Sequence, residues 1–260
     1  MLKHPTIEKM NSLGLTGMVR ALELQNNLQD VDSLSFEDRL ALLIDAEFSE
    51  RDTTQFTKRL KAAKLRNTAC IEDIDFKPDR KIDKRLVAQL SDGLWIKEHR
   101  NVLVTGKTGV GKTYIACALG QKACRLGYSV LYFRAPRFFQ ELTIARLKGK
   151  YQTLLNKLKR TNLLILDDFA LVPITEEQCR DMLEVTDDRL GTGSLIISSQ
   201  LPVKDWYQTF SNATLADAIL DRVVHGSYRL ELSGPTRRDP NTEKRTKTMK
   251  TFFASGQIKC

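Results

Sequence analysis

The sequence contains no long hydrophobic run. No stretch of its 260 residues approaches the roughly 20 apolar residues that a helix needs to cross a bilayer. Met1–Pro5 is not followed by the apolar segment that a secretion signal requires. We therefore expect a cytoplasmic protein with no membrane partner, neither secreted nor membrane-spanning.

Cysteine and histidine are scarce. The five cysteines and three histidines include no C-x-x-C pair and no spacing typical of a zinc site. No histidine stands at motif spacing from a serine, cysteine or acid with which it could form a catalytic pair. These observations argue against a disulfide framework, a structural zinc and a histidine-activated nucleophile.

Acidic residues are outnumbered by basic ones. The chain has 41 lysines and arginines against 32 aspartates and glutamates, which gives a formal net charge of +9. Hydrophobic residues make up 42% and charged residues 28% of the chain. These fractions are close to those of folded soluble proteins and argue against wholesale disorder. The excess of positive charge favours a partner that carries phosphate groups.

Hydrophobic periodicity divides the chain into four regions. Residues 1–70 are expected to form a small helical domain, most simply of two helices with three as the alternative, and the second helix is expected to begin at the capping residue Ser35. Residues 71–99 are expected to connect this domain to a core at 100–234. Residues 235–260 are basic and poor in apolar residues, so we expect a flexible tail.

The core region alternates short runs of β-branched residues with helical stretches. This order is typical of a parallel sheet with crossover helices, so we expect an α/β fold built on five parallel strands. The predicted strands are Asn101–Thr105, Ser129–Phe133, Leu163–Leu166, Leu195–Ser198 and Tyr228–Leu232.

A phosphate-binding loop follows the first predicted strand. The pattern G-x-x-x-x-G-K-[ST] is complete and lies between an apolar strand and a helical segment. Its glycines let successive backbone amides face one concavity at the start of a helix, where a phosphate group is favoured. The lysine would reach the β- and γ-phosphates of ATP, and the last hydroxyl would bind Mg²⁺. The loop consists of Gly106, Lys107, Thr108, Gly109, Val110, Gly111, Lys112 and Thr113.

Two acids follow the third predicted strand. Asp167 and Asp168 come directly after a buried apolar run, so both are expected at the end of the sheet where the phosphates bind. Asp167 is predicted to hold Mg²⁺ together with Thr113, and Asp168 is predicted to polarise the attacking water. The sequence therefore predicts an ATPase that uses Mg²⁺.

These motifs together resemble the IstB/DnaC branch of the AAA+ ATPases. The resemblance also includes the strand end Ile196–Gln200 and the segment Asp221–Val223, and it covers most of residues 1–238. It implies a P-loop AAA+ core. Because few residues follow the last predicted strand, we expect no C-terminal lid domain.

The resemblance also implies roles for single residues. Gln200, with Ser199 beside it, would sense the γ-phosphate. Arg222 would act on ATP bound to a neighbouring subunit, so the catalytic set would be Lys112, Asp168, Gln200 and Arg222. Many related ATPases have glutamate at the position of Asp168, and the shorter aspartate implies slow, assembly-dependent hydrolysis.

Within this branch, the N-terminal half is similar to the IstB family. The segments Ser49–Leu65 and Ile71–Phe76 carry this similarity. It implies an ATP-dependent regulator of transposition that forms a homo-oligomer on double-stranded target DNA and recruits or stimulates an IstA-type transposase. Two alternatives are a DnaC-like helicase loader and a P-loop kinase of small molecules.

Two basic clusters are candidates for DNA contact. One lies near the end of the helical region and nearly lacks acids, and the other lies between the second and third predicted strands. Each could instead be a solvated helix face. We expect contacts to phosphates and therefore largely sequence-independent, salt-sensitive binding. The predicted DNA-binding residues are Lys58, Arg59, Lys61, Lys64, Arg66, Arg146, Lys148 and Lys150.

Overall fold

The computed structural model describes residues 5–27 and 33–236. The chain divides into two compact units, with the division between Arg59 and Leu60. The predicted domain boundary near residue 70 was based on sequence texture and stays a prediction. Most of the predicted tail, residues 237–260, lies outside the described residues.

Helices make up the first unit. They are α1 (Pro5–Ser12), α2 (Thr16–Asn26) and the part of α3 (Phe36–Ala63) that precedes Leu60. Gly14 interrupts the first periodic segment, because it adopts a φ of +71° between α1 and α2. The described residues of this unit therefore contain three helices, where two were the simplest expectation.

Side chains at two helix starts fix the ends of these helices. The hydroxyl oxygen of Ser35 accepts from the amide of Asp38 at 3.1 Å, as the capping prediction requires. The start of α2 is capped from α3, where the Glu47 carboxylate accepts from the amides of Gly17 (2.8 Å) and Met18 (3.2 Å). The hydrogen bond from Arg51, followed by those two amides, holds the pKa of Glu47 below its usual value.

The first unit buries few apolar side chains. Among its described residues, Val19 is the one hydrophobic residue that is less than a tenth exposed. On α3, by contrast, Phe36, Leu40, Ile44 and Phe48 follow one another at intervals of four residues and are 37% to 74% exposed. The single chain thus leaves an apolar stripe on α3 open to solvent.

A five-stranded sheet organises the second unit. Its spatial order is β2-β3-β4-β1-β5, and all neighbouring strands are parallel. The predicted α/β fold is confirmed, although β3 continues through the acids to Phe169 instead of ending at Leu166. The strands are β1 (Val102–Gly106), β2 (Val130–Arg134), β3 (Leu163–Phe169), β4 (Ser194–Ser199) and β5 (Tyr228–Leu232).

Helices pack against this sheet. The predicted connector contains a 3₁₀ turn at Pro78–Arg80 and two short helices. The basic crossover between β2 and β3 consists of two helices separated at Gly149, whose φ is +63°. In chain order the helices of this unit are α4 (Lys84–Ser91), α5 (Leu94–Lys97), α6 (Lys112–Arg125), α7 (Ala135–Leu147), α8 (Tyr151–Arg160), α9 (Glu176–Arg189) and α10 (Ala213–Val224).

One hydrophobic core joins β3 and β4 to helices α7 to α10. Phe138, Phe169 and Trp206 are among its largest side chains, each no more than 1% exposed. This core holds the carboxyl ends of the central strands in place. Within residues 5–27 and 33–236, no helix is both long and apolar enough to cross a membrane.

Candidate nucleotide-binding site

The predicted phosphate loop connects β1 to α6. The ammonium group of Lys112 donates to the carbonyl oxygens of Gly106 at 2.7 Å and Lys107 at 2.9 Å, and the residue is 7% exposed. Its positive charge is therefore held against the loop. The β- and γ-phosphates of a nucleotide would bind at this position.

Glycine is required at Gly111, where α6 begins. Its φ is +101°, and a Cβ atom there would lie 2.7 Å from Nη2 of Arg80. Arg80 is a buried arginine that the sequence analysis did not single out. Its guanidinium donates to the carbonyls of Val110 at 2.8 Å and Asp75 at 2.7 Å. Arg80, in the predicted connector, therefore stabilises the phosphate loop through its hydrogen bond to Val110.

Asp167 is completely buried beside the loop. Its carboxylate accepts from the hydroxyls of Thr113 (2.8 Å), Tyr132 (2.7 Å) and Ser198. Burial, and then the bond to Asp167, raise the pKa of the Tyr132 phenol above its usual value. Three strands and the first turn of α6 thus place this carboxylate where the sequence analysis expected it.

The contacts of Thr113 and Asp167 fit a magnesium ion. A hydroxyl and a carboxylate are the oxygen ligands that Mg²⁺ prefers, and it commonly takes further ligands from substrate phosphates and water. Among the described residues, no three histidine, cysteine or acidic side chains group as a metal site.

Asp168 occupies an irregular point in β3. The pairing of β3 with β4 shifts between Leu166 and Phe169, and Asp168 has a φ of +57°. This conformation costs a non-glycine residue roughly 1–3 kcal/mol. Nε of Arg134, at the end of β2, donates to the Asp168 carboxylate at 2.9 Å. Asp168 is therefore turned away from the regular strand and held by an ion pair.

Gln200 follows β4 and faces the loop. Its Oε1 accepts from the hydroxyl of Thr108 at 2.7 Å. The neighbouring Ser199 is fully buried and donates instead to the carbonyl of Phe169 at 2.8 Å. Of the two residues, the geometry favours Gln200 as the one that could respond to a γ-phosphate.

Arg222 does not join these residues. Its backbone carbonyl accepts from Nδ2 of Asn101 at 3.1 Å, just before β1 begins, whereas the phosphate loop follows the end of β1. At about 3.3 Å per residue, the strand between Asn101 and Gly106 covers roughly 16 Å. Within the chain, Arg222 pairs with the Asp187 carboxylate and donates to the carbonyl of Ala218 at 2.6 Å.

Several residues of basic type surround Arg222. It lines a cavity of about 260 Å³ together with His99, Arg100, Arg189 and His225. Arg189 is 2% exposed and donates to backbone carbonyls alone, and burial lowers its pKa to about 10. Two of these arginines are paired with carboxylates, Arg222 with Asp187 and Arg100 with Glu98.

The predicted DNA-binding residues fall into different settings. Arg146 is bound by Glu177 at 2.5 Å and by Asp181, and its guanidinium lies 4.4 Å from the ring centre of Tyr151. A phosphate contact by Arg146 would have to replace these ion pairs, whereas Lys148 and Lys150 are exposed in the turn after it.

The predicted cluster at the end of the helical region is also divided. Near the end of α3, Lys58, Lys61 and Lys64 are exposed and Arg59 is half-buried. Arg66, which was placed in the same set, instead reaches the acids of β3, with Nη1 3.8 Å from Asp168 Oδ2. The DNA contacts of all five residues stay predictions.

Comparison with known proteins identifies the family. A sequence profile described as IstB-like ATP binding protein matches residues 8–245. The chain belongs to this family. An insertion-sequence ATP-binding protein of Sinorhizobium fredii is 46% identical over 238 residues, which cover 92% of this chain and 97% of the relative. The ATP-binding protein of insertion sequence IS1162 from Pseudomonas fluorescens is 47% identical over 203 residues, or 78% and 88% of the two chains.

Solved structures share the AAA+ fold of this IstB-like chain at low sequence identity. DnaI aligns with a TM-score of 0.54 and 22% identity, over 70% of this chain and 93% of that one. The DnaC helicase loader aligns with a TM-score of 0.54 and 18% identity, over 66% and 100%. AMPPCP-bound DnaA from Aquifex aeolicus aligns with a TM-score of 0.56 and 20% identity, over 76% and 58%.

Proposed function

We propose that this IstB-like protein is a Mg²⁺-dependent ATPase that assembles on double-stranded DNA and acts with a transposase. The observation that carries the proposal is the separation of its hydrolysis residues. Lys112, Asp167 and Asp168 lie at the carboxyl ends of the strands, whereas the backbone of Arg222 is bonded to the residue before β1. In the proposed enzyme, one chain would supply both halves of the site without bringing them together.

A second copy would complete the site. Its Arg222 would approach the γ-phosphate bound by Lys112. Asp168 would orient the attacking water, and Thr113 and Asp167 would hold Mg²⁺, which neutralises developing charge on the phosphates. ATP would thus join subunits, and hydrolysis would reset the assembly.

The first unit supports self-association independently. The apolar stripe formed by Phe36, Leu40, Ile44 and Phe48 is solvent-exposed in the single chain, although the unit has almost no hydrophobic core of its own. Such a stripe gains free energy when another surface covers it, at about 25 cal/mol for each Å² buried. We infer that residues 1–70 contribute to the homo-oligomer.

Exposed cations support the interaction with DNA. Lys58, Lys61 and Lys64 lie within two turns at the end of α3, and Lys148 and Lys150 lie between α7 and α8. Phosphate contacts by such side chains are independent of base sequence and are weakened by salt. The proposed complex therefore forms on any duplex of sufficient length.

The relatives support a role in transposition, because they are named as ATP-binding proteins of insertion sequences. An element that moves needs a transposase to cut and join DNA, and the residues described above offer no such chemistry. We infer that an IstA-type transposase is the protein partner and that the ATP-bound assembly on DNA recruits or stimulates it.

The test follows particle size and DNA retention together. With ATP, Mg²⁺ and duplex DNA at low salt, we expect scattering to detect a particle of several subunits that retains the duplex. The variant Lys112→Ala and wild-type protein with ADP should remain small. A single-subunit particle under every condition would refute the proposal. Preference for single strands, with a stable complex of a replicative helicase, would replace it by helicase loading.

A further inference from the structure

Arg66 lies against the predicted metal site. Its Nη1 is 3.9 Å from Oδ2 of Asp167 and 3.8 Å from Oδ2 of Asp168. Its side chain is 44% exposed, whereas those of the two acids are 0% and 17% exposed. Arg134, the other cation in this group, is paired with Asp168. Among the described residues, Arg66 is thus the cation that forms ion pairs with both carboxylates.

The backbone next to Arg66 is fixed to α6. Lys64 has a φ of +53° and turns the chain out of α3. The next residue, Leu65, packs against Gly120 of α6, where an added Cβ atom would lie 3.1 Å from Cδ2 of Leu65. Burial raises the pKa of the Cys117 thiol, and hydrogen bonds from the amides of Asn67 and Arg66 partly oppose this. Cys117 lies one turn after Thr113. The backbone at Arg66 is therefore held close to the helix that follows the phosphate loop.

We propose that Arg66 is a positioning residue for the two acids and that it sets the Mg²⁺ concentration at which the site binds nucleotide. This inference rests on the proposed binding of ATP with Mg²⁺. Two adjacent carboxylates repel each other, and Arg66 reduces this repulsion when no metal is bound. The same positive charge repels a divalent cation held by Asp167.

Both effects act in one direction. Removing the charge of Arg66 makes the metal-free acids less stable and removes a cation next to the metal, so Mg²⁺ binds more tightly. Arg134 cannot substitute for it, because its ion pair is to Asp168 and not to the metal ligand Asp167. The charge, not the shape of the arginine, carries the effect, so lysine should largely replace it.

The experiment measures binding of a fluorescent ATP analogue as Mg²⁺ is varied, without DNA. Arg66→Gln should lower the half-saturating Mg²⁺ concentration roughly three- to tenfold. Arg66→Lys should stay near wild type, and binding in EDTA should not change. The matched control is Lys159→Gln. The side chain of Lys159, which lies just before β3, is 50% exposed, and its ammonium group pairs with Asp188 at 3.1 Å. Its midpoint should equal that of wild type.

The outcomes separate the two proposals. Equal midpoints for Arg66→Gln and wild type would overturn the role of Arg66, and so would an equal shift in Lys159→Gln. Should Arg66→Gln unfold, Arg66→Lys and Arg66→Ala provide the same comparison of charge kept and charge lost. Wild-type protein that binds the analogue without any dependence on Mg²⁺ would instead refute the proposed metal-dependent ATPase.

Discussion

Mixing two inactive variants tests whether the hydrolysis site is shared between subunits. Asp168→Asn removes the carboxylate that would orient water, and Arg222→Ala removes the arginine at the opposite end of the strands. Each change alone is expected to lower the ATP hydrolysis rate roughly a hundredfold or more. Asn101 binds the backbone of Arg222 and lies roughly 16 Å along β1 from the phosphate loop. In a shared site, one subunit would therefore supply Asp168 and its neighbour Arg222, so the two defects affect different halves of each interface.

The size of the recovery follows from this geometry. In an equal mixture, each subunit interface combines two chains at random, so about one interface in four joins an intact Asp168 to an intact Arg222 in a head-to-tail assembly. Phosphate release by the mixture should therefore reach about one quarter of the wild-type rate per chain. As a control, Arg222→Ala mixed with the double variant should recover nothing. Activity no higher than the mean of the separate variants would refute a shared site.

Three further predictions concern nucleotide, acid and salt. Lys112→Ala should abolish ATP-dependent assembly in gel filtration, whereas Asp168→Asn should assemble and dissociate slowly, because it binds ATP without hydrolysing it; two variants that both behave like wild type would contradict the site. Glu47 caps α2 with a lowered pKa, so its contribution to stability is complete above the ordinary value of 4.5 and is lost as pH falls. Glu47→Gln should therefore melt earlier at pH 7 in circular dichroism and lose this acid dependence. Lys61→Ala should reduce the slope of log affinity for duplex DNA against log salt by about one, equally for all sequences; an unchanged slope would exclude Lys61 from the interface.

Local patterns predicted where the phosphate loop and the two acids lie relative to the strands that precede them. The phosphate loop and Asp167 follow directly from short motifs whose spacing is set by one strand and one helix, whereas Gln200 was implied by the family resemblance. The predicted β5 agrees with the observed strand at both ends. Strand β3 runs further than expected, because apolarity ended the predicted strand whereas the backbone pairs with β4 as far as Phe169.

Residues that act through distant contacts were not predictable. Arg80 lies in a segment with the composition of a linker, and its bond to Val110 spans 30 positions. Tyr132 was interpreted as part of an apolar strand, yet its hydroxyl binds Asp167, 35 residues away. Arg66 was assigned to a basic cluster from its neighbours in the sequence. Its ion pairs with the acids of β3 could not be predicted, because a sequence does not show that the chain turns towards β3 after α3. Each of these depends on how parallel strands and their connections pack together.

The ion pair between Arg222 and Asp187 has a consequence for specificity of association. An arginine whose charge is already balanced within its own chain attracts a passing subunit only weakly. A triphosphate carries several negative charges, whereas the carboxylate of Asp187 carries one. A neighbouring subunit with bound ATP would therefore attract the guanidinium away from Asp187, and a nucleotide-free neighbour would not. Contacts between nucleotide-free subunits would then be short-lived. The size of the oligomer would therefore depend on how many subunits have ATP bound.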